Sequence, residues 1–219
     1  MALNLSEIES LRLRVEQSKR FSNWIAVRID GKETASHLRN RLSGGCFDLG
    51  IEHYNGIVLL VSAAFHAPAF ALMRPLYESY VRGLWLCNCA DENQLTDFTR
   101  GISKSLDRMV RELEKHADYG TGALAYTQAR VKSSFDHFVH SGYLAVVRRQ
   151  TDDAIEPTYE LKELFEVLDF ADATGGLCAI EIAQLARQEG VALEMVTQLQ
   201  HGRNPGATLC TSAASVDYP

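Results

Sequence analysis

From Gly56 to Met73 the chain reads GIVLLVSAAFHAPAFALM, eighteen residues without a formal charge. The segment that follows, RPLYESYVRGLWL, sets Arg74, Glu78 and Arg82 four residues apart among Leu, Tyr, Val and Trp. Eighteen apolar residues approach the length of a membrane-spanning helix. His66 and Pro68 interrupt the run in its middle, no Lys/Arg cluster flanks it, and the three charges would sit just inside the bilayer. A stretch this apolar that does not cross a membrane has to be covered by the rest of the protein. It therefore reads as a buried helix-turn-helix at the centre of the domain, with Pro68 in the first turn of the second helix. Pro75 removes one backbone hydrogen bond and is expected to kink that helix where the charges begin.

Helical periodicity continues on both sides. SEIESLRLRVEQSKRFSNWIAVRI opens with Ser6 as an N-cap and Glu9 three residues on, with Ile8, Leu11, Val15, Trp24 and Ile25 facing inward. A second helix over ETASHLRNRL is expected to break at Gly44 and Gly45 and to resume from Phe47 to Phe65. Residues 91–118 read as one long amphipathic helix with Ile102, Leu106, Met109, Val110 and Leu113 inward, and residues 121–149 as another. A further helix begins at Pro157 and Thr158 and closes at Gly190, and VALEMVTQLQ forms the last. No alternating Val/Ile/Thr stretch with hairpin signals competes. The expectation is all-α: a single-domain helical bundle of about six to seven helices over residues 1–201. The aperiodic tail, 202–219, is expected to be disordered.

With 219 residues and 46% hydrophobic content the chain can bury a proper core without a staple. A net charge of −6 disfavours a protein whose whole surface grips nucleic acid, and leaves room for a local basic site. Five cysteines without a C-x-x-C pair, and no opening signal peptide, point to reduced thiols and a cytoplasmic protein. Cys87 and Cys89 read as buried helix cysteines rather than a metal clip. The chain has no Gly-rich phosphate loop, G-x-S-x-G elbow or dinucleotide fingerprint, so no cofactor is expected.

Two constellations carry the candidate chemistry. On a helix Arg74, Glu78 and Arg82 form one stripe in which Glu78 can pair in both directions. Such a ladder contributes only about 0.2–0.5 kcal/mol per pair on a surface. Buried, it leaves one arginine in excess, to be neutralised by another helix or by a bound anion. A structural network and a ligand site both remain open for these residues. The second constellation lies in ARVKSSFDHFVHSGYLAVVRR, where Arg130, Ser134, His137, Ser141 and Arg148 share one helical face and His140 stands about 60° from His137. That face is either solvated surface or a site. As a site, histidine moves a proton near neutral pH, and arginine two turns away holds a phosphate oxygen in its planar fork.

An all-helical bundle of this size with an R-x4-6-H helix late in the domain resembles the HEPN superfamily of bacterial ribonucleases and their inactive relatives. LMRPLYESYVRGLWL and FDHFVHSGYLAVVRR also resemble uncharacterised bacterial all-helical families grouped near them. The resemblance covers residues 30–190 and implies a HEPN-like core and a homodimer whose facing helices build a metal-free site. It implies that Arg130 binds phosphate while His137 assists attack by an RNA 2′-hydroxyl. Active relatives often carry a polar residue after the arginine, where this chain has Val131. The alternative partner is a cognate regulatory protein, with the chain a non-catalytic sensor or antitoxin-like module. A metal-binding bundle would use His137 and His140 with Asp136, Glu78 or His53, but the paired E-x-x-H motifs of di-iron bundles are missing.

Overall fold

A computed structural model describes residues 4–139, 142–151 and 153–201, with residues 132–139, 144 and 201 described by backbone alone. Every regular element among them is an α-helix: α1 (Leu5–Ile29), α2 (Leu38–Ser62), α3 (His66–Asn88), α4 (Glu92–Thr99), α5 (Leu106–Leu113), α6 (Ala123–Val139), α7 (Tyr143–Val147), α8 (Leu161–Leu185) and α9 (Glu189–His201). They form a single helical domain. Nine helices exceed the expected six to seven because two segments read as single helices are each divided.

The uncharged run folds as anticipated. α2 ends at Ser62, the chain turns through Ala64 at φ +61°, and α3 starts at His66. α3 runs as one helix across Pro75 and buries Met73, Leu76, Tyr77, Leu84, Trp85 and Leu86. Among the described residues no helix is long and apolar enough to cross a membrane. α3 packs against α2, α8, α6 and α5, so it is the central element, while α1 and α9 lie against α8.

Gly44 and Gly45 do not break α2. Helical glycine costs about 1 kcal/mol against alanine, and the packing of α2 against α3 and α8 outweighs that loss. Two glycines further along mark why these helices meet so closely. A Cβ on Gly50 would stand 2.7 Å from Cys178 Sγ, and one on Gly175 would stand 2.6 Å from the Tyr54 ring. Tyr54 crosses this contact and donates from its hydroxyl to the Ser18 carbonyl at 2.9 Å, tying α1 to the pair. The same corner holds an ion network. Arg14 Nη2 lies 2.7 Å from Asp169 and 2.8 Å from Asp172, and the Ser18 hydroxyl donates to Asp172 at 2.9 Å.

Several boundaries moved for identifiable reasons. Asn4, not Ser6, caps α1, forming a reciprocal capping box with Glu7. The 91–118 segment is split because Gly101 adopts φ +80°, which terminates α4 and leaves Ile102 exposed at 60% rather than inward. The connection then folds Lys104 over the Trp85 ring at 5.0 Å, where its Nζ pairs with Glu112 at 2.7 Å. The 121–149 segment is split at Gly142, which lies outside helix. α8 starts at Leu161, three residues beyond Thr158, and Gly190 lies inside α9 rather than closing α8. Of the expected tail, 202–219, all lies outside the described residues.

Candidate functional site

The charged stripe on α3 is half-buried. Arg74, Glu78 and Arg82 keep 33%, 26% and 28% of their side-chain exposure. Arg74 Nε donates to Glu78 Oε1 at 2.8 Å, whereas Arg82 Nη2 stays 3.9 Å from Glu78 Oε2, beyond hydrogen-bonding reach. Among the described residues the Arg82 side chain donates no hydrogen bond, and no second acid comes within ion-pair distance. Its charge reaches Cys46 on α2 instead. There it opposes the effect of burial, which pushes the Cys46 thiol up to about 11. A thiol so placed stays protonated and is a poor nucleophile.

On α6 the anchoring residue is Val131, buried at 2% exposure against the core. The position directly after Arg130 therefore seats the helix. Its neighbour Arg130 is exposed, with its guanidinium 6.0 Å from the centroid of the exposed Tyr126 ring and Nη1 3.4 Å from that hydroxyl. Ser134 and His137 lie on the described backbone of α6, but their side chains, with all of His140 and Ser141, fall outside the described residues. Arg148 does not share the α6 face. Gly142 lies outside helix between α6 and α7, Arg148 follows the end of α7, and its guanidinium pairs with Glu163 in the first turn of α8.

A third cluster had no signal in the sequence beyond the interruption of the apolar run at His66. His66 is the first residue of α3, and its ring meets Tyr159 edge-on at 5.2 Å and 64°. Tyr159, buried at 4% exposure from the segment before α8, is backed by Phe70 at 5.3 Å. Among the described residues the buried His66 Nδ1 has no hydrogen-bond partner. Burial, and then the positive charge of Arg149, lower the pKa of His66 and hold it neutral. The Thr158 N–H donates to the Arg148 carbonyl at 3.0 Å, which brings this segment back to the end of α7.

Two other features complete the polar inventory. Glu181 on α8 is 9% exposed, and desolvation pushes its carboxyl up to about 7; its charge is felt by Tyr80 and Cys178. An open cleft of about 630 Å³ between the end of α1, the start of α2 and the end of α8 carries the mixed charges of Asp30, Lys32, Arg41 and Asp48, and none of the candidate residues lines it. Among the described residues no group of three or more His, Cys, Asp or Glu side chains is arranged to hold a metal ion. The side chains of Asp136, His137 and His140, on which the metal-binding alternative draws, lie outside the described residues.

A family profile described as "Family of unknown function (DUF6988)" matches residues 47–203. The matched span takes in most of α2, all of α3 to α9, and each of the three clusters above. No curated protein and no solved structure matches the chain.

Proposed function

We propose, for a chain that belongs to the family of unknown function DUF6988, a HEPN-like, metal-independent ribonuclease that acts as a homodimer. The observation that carries this reading is the exposed guanidinium of Arg130, presented on a helix whose next residue is buried in the core. In this reading Arg130 holds a phosphate through its planar fork, and Tyr126 beside it offers an aromatic face of the kind on which single-stranded bases stack. Two turns further along α6, His137 is the proton-transfer group of the proposal. Two copies of α6 facing each other across a two-fold axis would double the site.

The reaction needs no metal because RNA carries its own nucleophile. A base takes the proton of the 2′-hydroxyl, the 2′-oxygen attacks the adjacent phosphorus, and an acid protonates the departing 5′-oxygen. In the dimer the two His137 side chains share the base and acid roles. The test is substitution: His137→Ala and Arg130→Ala should each lower the rate of RNA cleavage by roughly 100-fold, the scale of one general acid or base. Both variants should keep the wild-type helical circular dichroism. Equal rates in variants and wild type would remove α6 from the mechanism.

A second reading follows from Arg82. A half-buried arginine on the central helix whose side chain, among the described residues, donates no hydrogen bond suits a non-catalytic protein that senses a small anion or answers to a cognate regulatory partner. Under that reading the protein is a folded dimer that cleaves no RNA.

A further inference from the structure

We propose that Cys89 and His116 form a nucleophile–base pair at the C-terminal end of α3, a site that takes a small disulfide by thiol–disulfide exchange. Cys89 is not a buried residue within the helix but caps it, half-buried, with its Sγ 3.4 Å from Nε2 of the exposed His116 in the turn after α5. That is hydrogen-bonding distance for sulfur, and in the tautomer protonated at Nδ1 the imidazole accepts from the thiol. Both partners are held in place. One turn before the cap, Trp85 Nε1 donates to Glu112 Oε2 at 2.6 Å and Lys104 Nζ to both oxygens of that carboxylate at 2.7 and 2.8 Å, which ties α3 to α5. His116 donates its own N–H to the Leu113 carbonyl at 2.9 Å and accepts from the Tyr119 N–H at 3.1 Å, so backbone bonds close the turn that carries the imidazole.

Charge and donors select the reaction. Burial, then the negative charge of Glu112, pushes the Cys89 thiol up to about 11; Lys104 opposes the rise and Cys87 adds to it. An unassisted thiol there is protonated at neutral pH, so the imidazole has to take the proton as the sulfur attacks. Acyl transfer would also need N–H donors for an oxyanion, and the N–H groups of Cys89 and Ala90 are both committed to the Trp85 carbonyl, at 2.9 and 3.0 Å. Displacement at sulfur builds no oxyanion. The thiol proton passes to His116 Nε2, the Cys89 sulfur bonds to one sulfur of the incoming disulfide, and the S–S bond of that reagent breaks. Its second sulfur leaves as a thiolate and takes the proton from the imidazolium. Cys89 ends oxidised in a mixed disulfide, and the departing half of the reagent ends reduced as a thiol. The pair uses neither Arg130 nor His137, so it does not depend on RNA cleavage.

The experiment follows iodoacetamide alkylation of each cysteine in the full chain by mass spectrometry, from about pH 5 to pH 9, in wild type and in His116→Gln, a change on an exposed turn. Cys46 is the internal control: it is half-buried like Cys89 and likewise pushed up to about 11 by burial, and its charged neighbour is Arg82 rather than an imidazole. Near neutral pH Cys89 should react roughly 100-fold faster in wild type than in the variant, the low end of what a positioned base contributes. Its wild-type profile should show an acid limb where histidine titrates, whereas in the variant the rate should climb with ionisation of the thiol itself, as that of Cys46 does in both proteins. Glutathione disulfide should place a mixed disulfide on Cys89 of the wild type, reversed by dithiothreitol and formed far more slowly in His116→Gln. The same Cys89 rates and pH profile in both proteins, or a wild-type Cys89 that tracks Cys46, would overturn the base role of His116. Alkylation that depends on His116 without formation of the mixed disulfide would overturn the exchange.

Discussion

Arg82 and Glu78 lie one helical turn apart, yet their nearest charged atoms stay 3.9 Å apart, while Arg74 closes on the same carboxylate at 2.8 Å. One acid thus serves two arginines unequally. With each side chain about one-quarter to one-third exposed, the ladder falls between a surface pair, worth up to about 1 kcal/mol, and a buried pair, whose breaking costs about 3–5 kcal/mol. Glu78→Ala should destabilise by about 1–2 kcal/mol in urea unfolding, and Arg82→Ala by less than half of that. A loss above about 4 kcal/mol for Glu78→Ala would mean that the stripe is as buried as a core network.

The corner that joins α1 to α8 should be the more expensive one to disturb. Arg14 is 15% exposed and Asp172 18%, and Arg14 reaches Asp169, Asp172 and Ser18 at once. Asp172→Ala removes the more buried of the two carboxylates that Arg14 pairs with, together with the acceptor of the Ser18 hydroxyl, leaves only the exposed Asp169 to balance the guanidinium, and should cost about 3 kcal/mol. Asp169→Ala, where the carboxylate is 63% exposed, should cost under about 1 kcal/mol. Chemical denaturation of the two variants side by side checks the ranking, and equal losses would contradict it.

Much of this architecture was legible in the sequence because it rests on apolar periodicity. The all-helical class, the turn near Ser62–His66 and the inward set Met109, Val110 and Leu113 all follow from where apolar residues fall. What periodicity misses is what depends on partners distant in the chain. Gly44–Gly45 looked like a break because the compensating packing comes from other helices, and Gly101 looked harmless because its φ is set by the turn. Arg14 with Asp172, and His66 with Tyr159, are joined only by the tertiary fold. Of the candidate site, the i,i+4 pairing of the stripe and the presentation of Arg130 could be read from spacing, since both are local to one helix. Arg148 could not, because Gly142 lies outside helix and separates α6 from α7.

Glu181 gives the fold a pH dependence. Its carboxyl is pushed up to about 7 by burial, against an ordinary value of 4.5. The folded state therefore holds its proton more tightly than the unfolded state does, and the associated stability is complete below about pH 4.5 and is lost as pH rises towards 7. At about 1.4 kcal/mol per unit the total contribution is roughly 3 kcal/mol. Glu181→Gln should remove this component, so its stability advantage over wild type should grow from pH 5 to pH 8. A constant difference across that range would show that Glu181 is not desolvated in the native state.

Assembly is tested by sedimentation. A site built from two α6 helices requires a dimer at micromolar concentration. A sedimentation coefficient matching one 24.4 kDa chain at all concentrations would leave Arg130 and His137 without their second half.

The most direct measurement is the cleavage itself. Purified protein is incubated with single-stranded RNA, and with DNA of the same sequence, in the presence of excess chelator. The account predicts that RNA is cut, that the chelator has no effect, and that DNA stays intact because it lacks the attacking 2′-hydroxyl. Folded, dimeric protein that leaves a broad set of RNAs uncut, or that cuts only when a metal is restored, would contradict it.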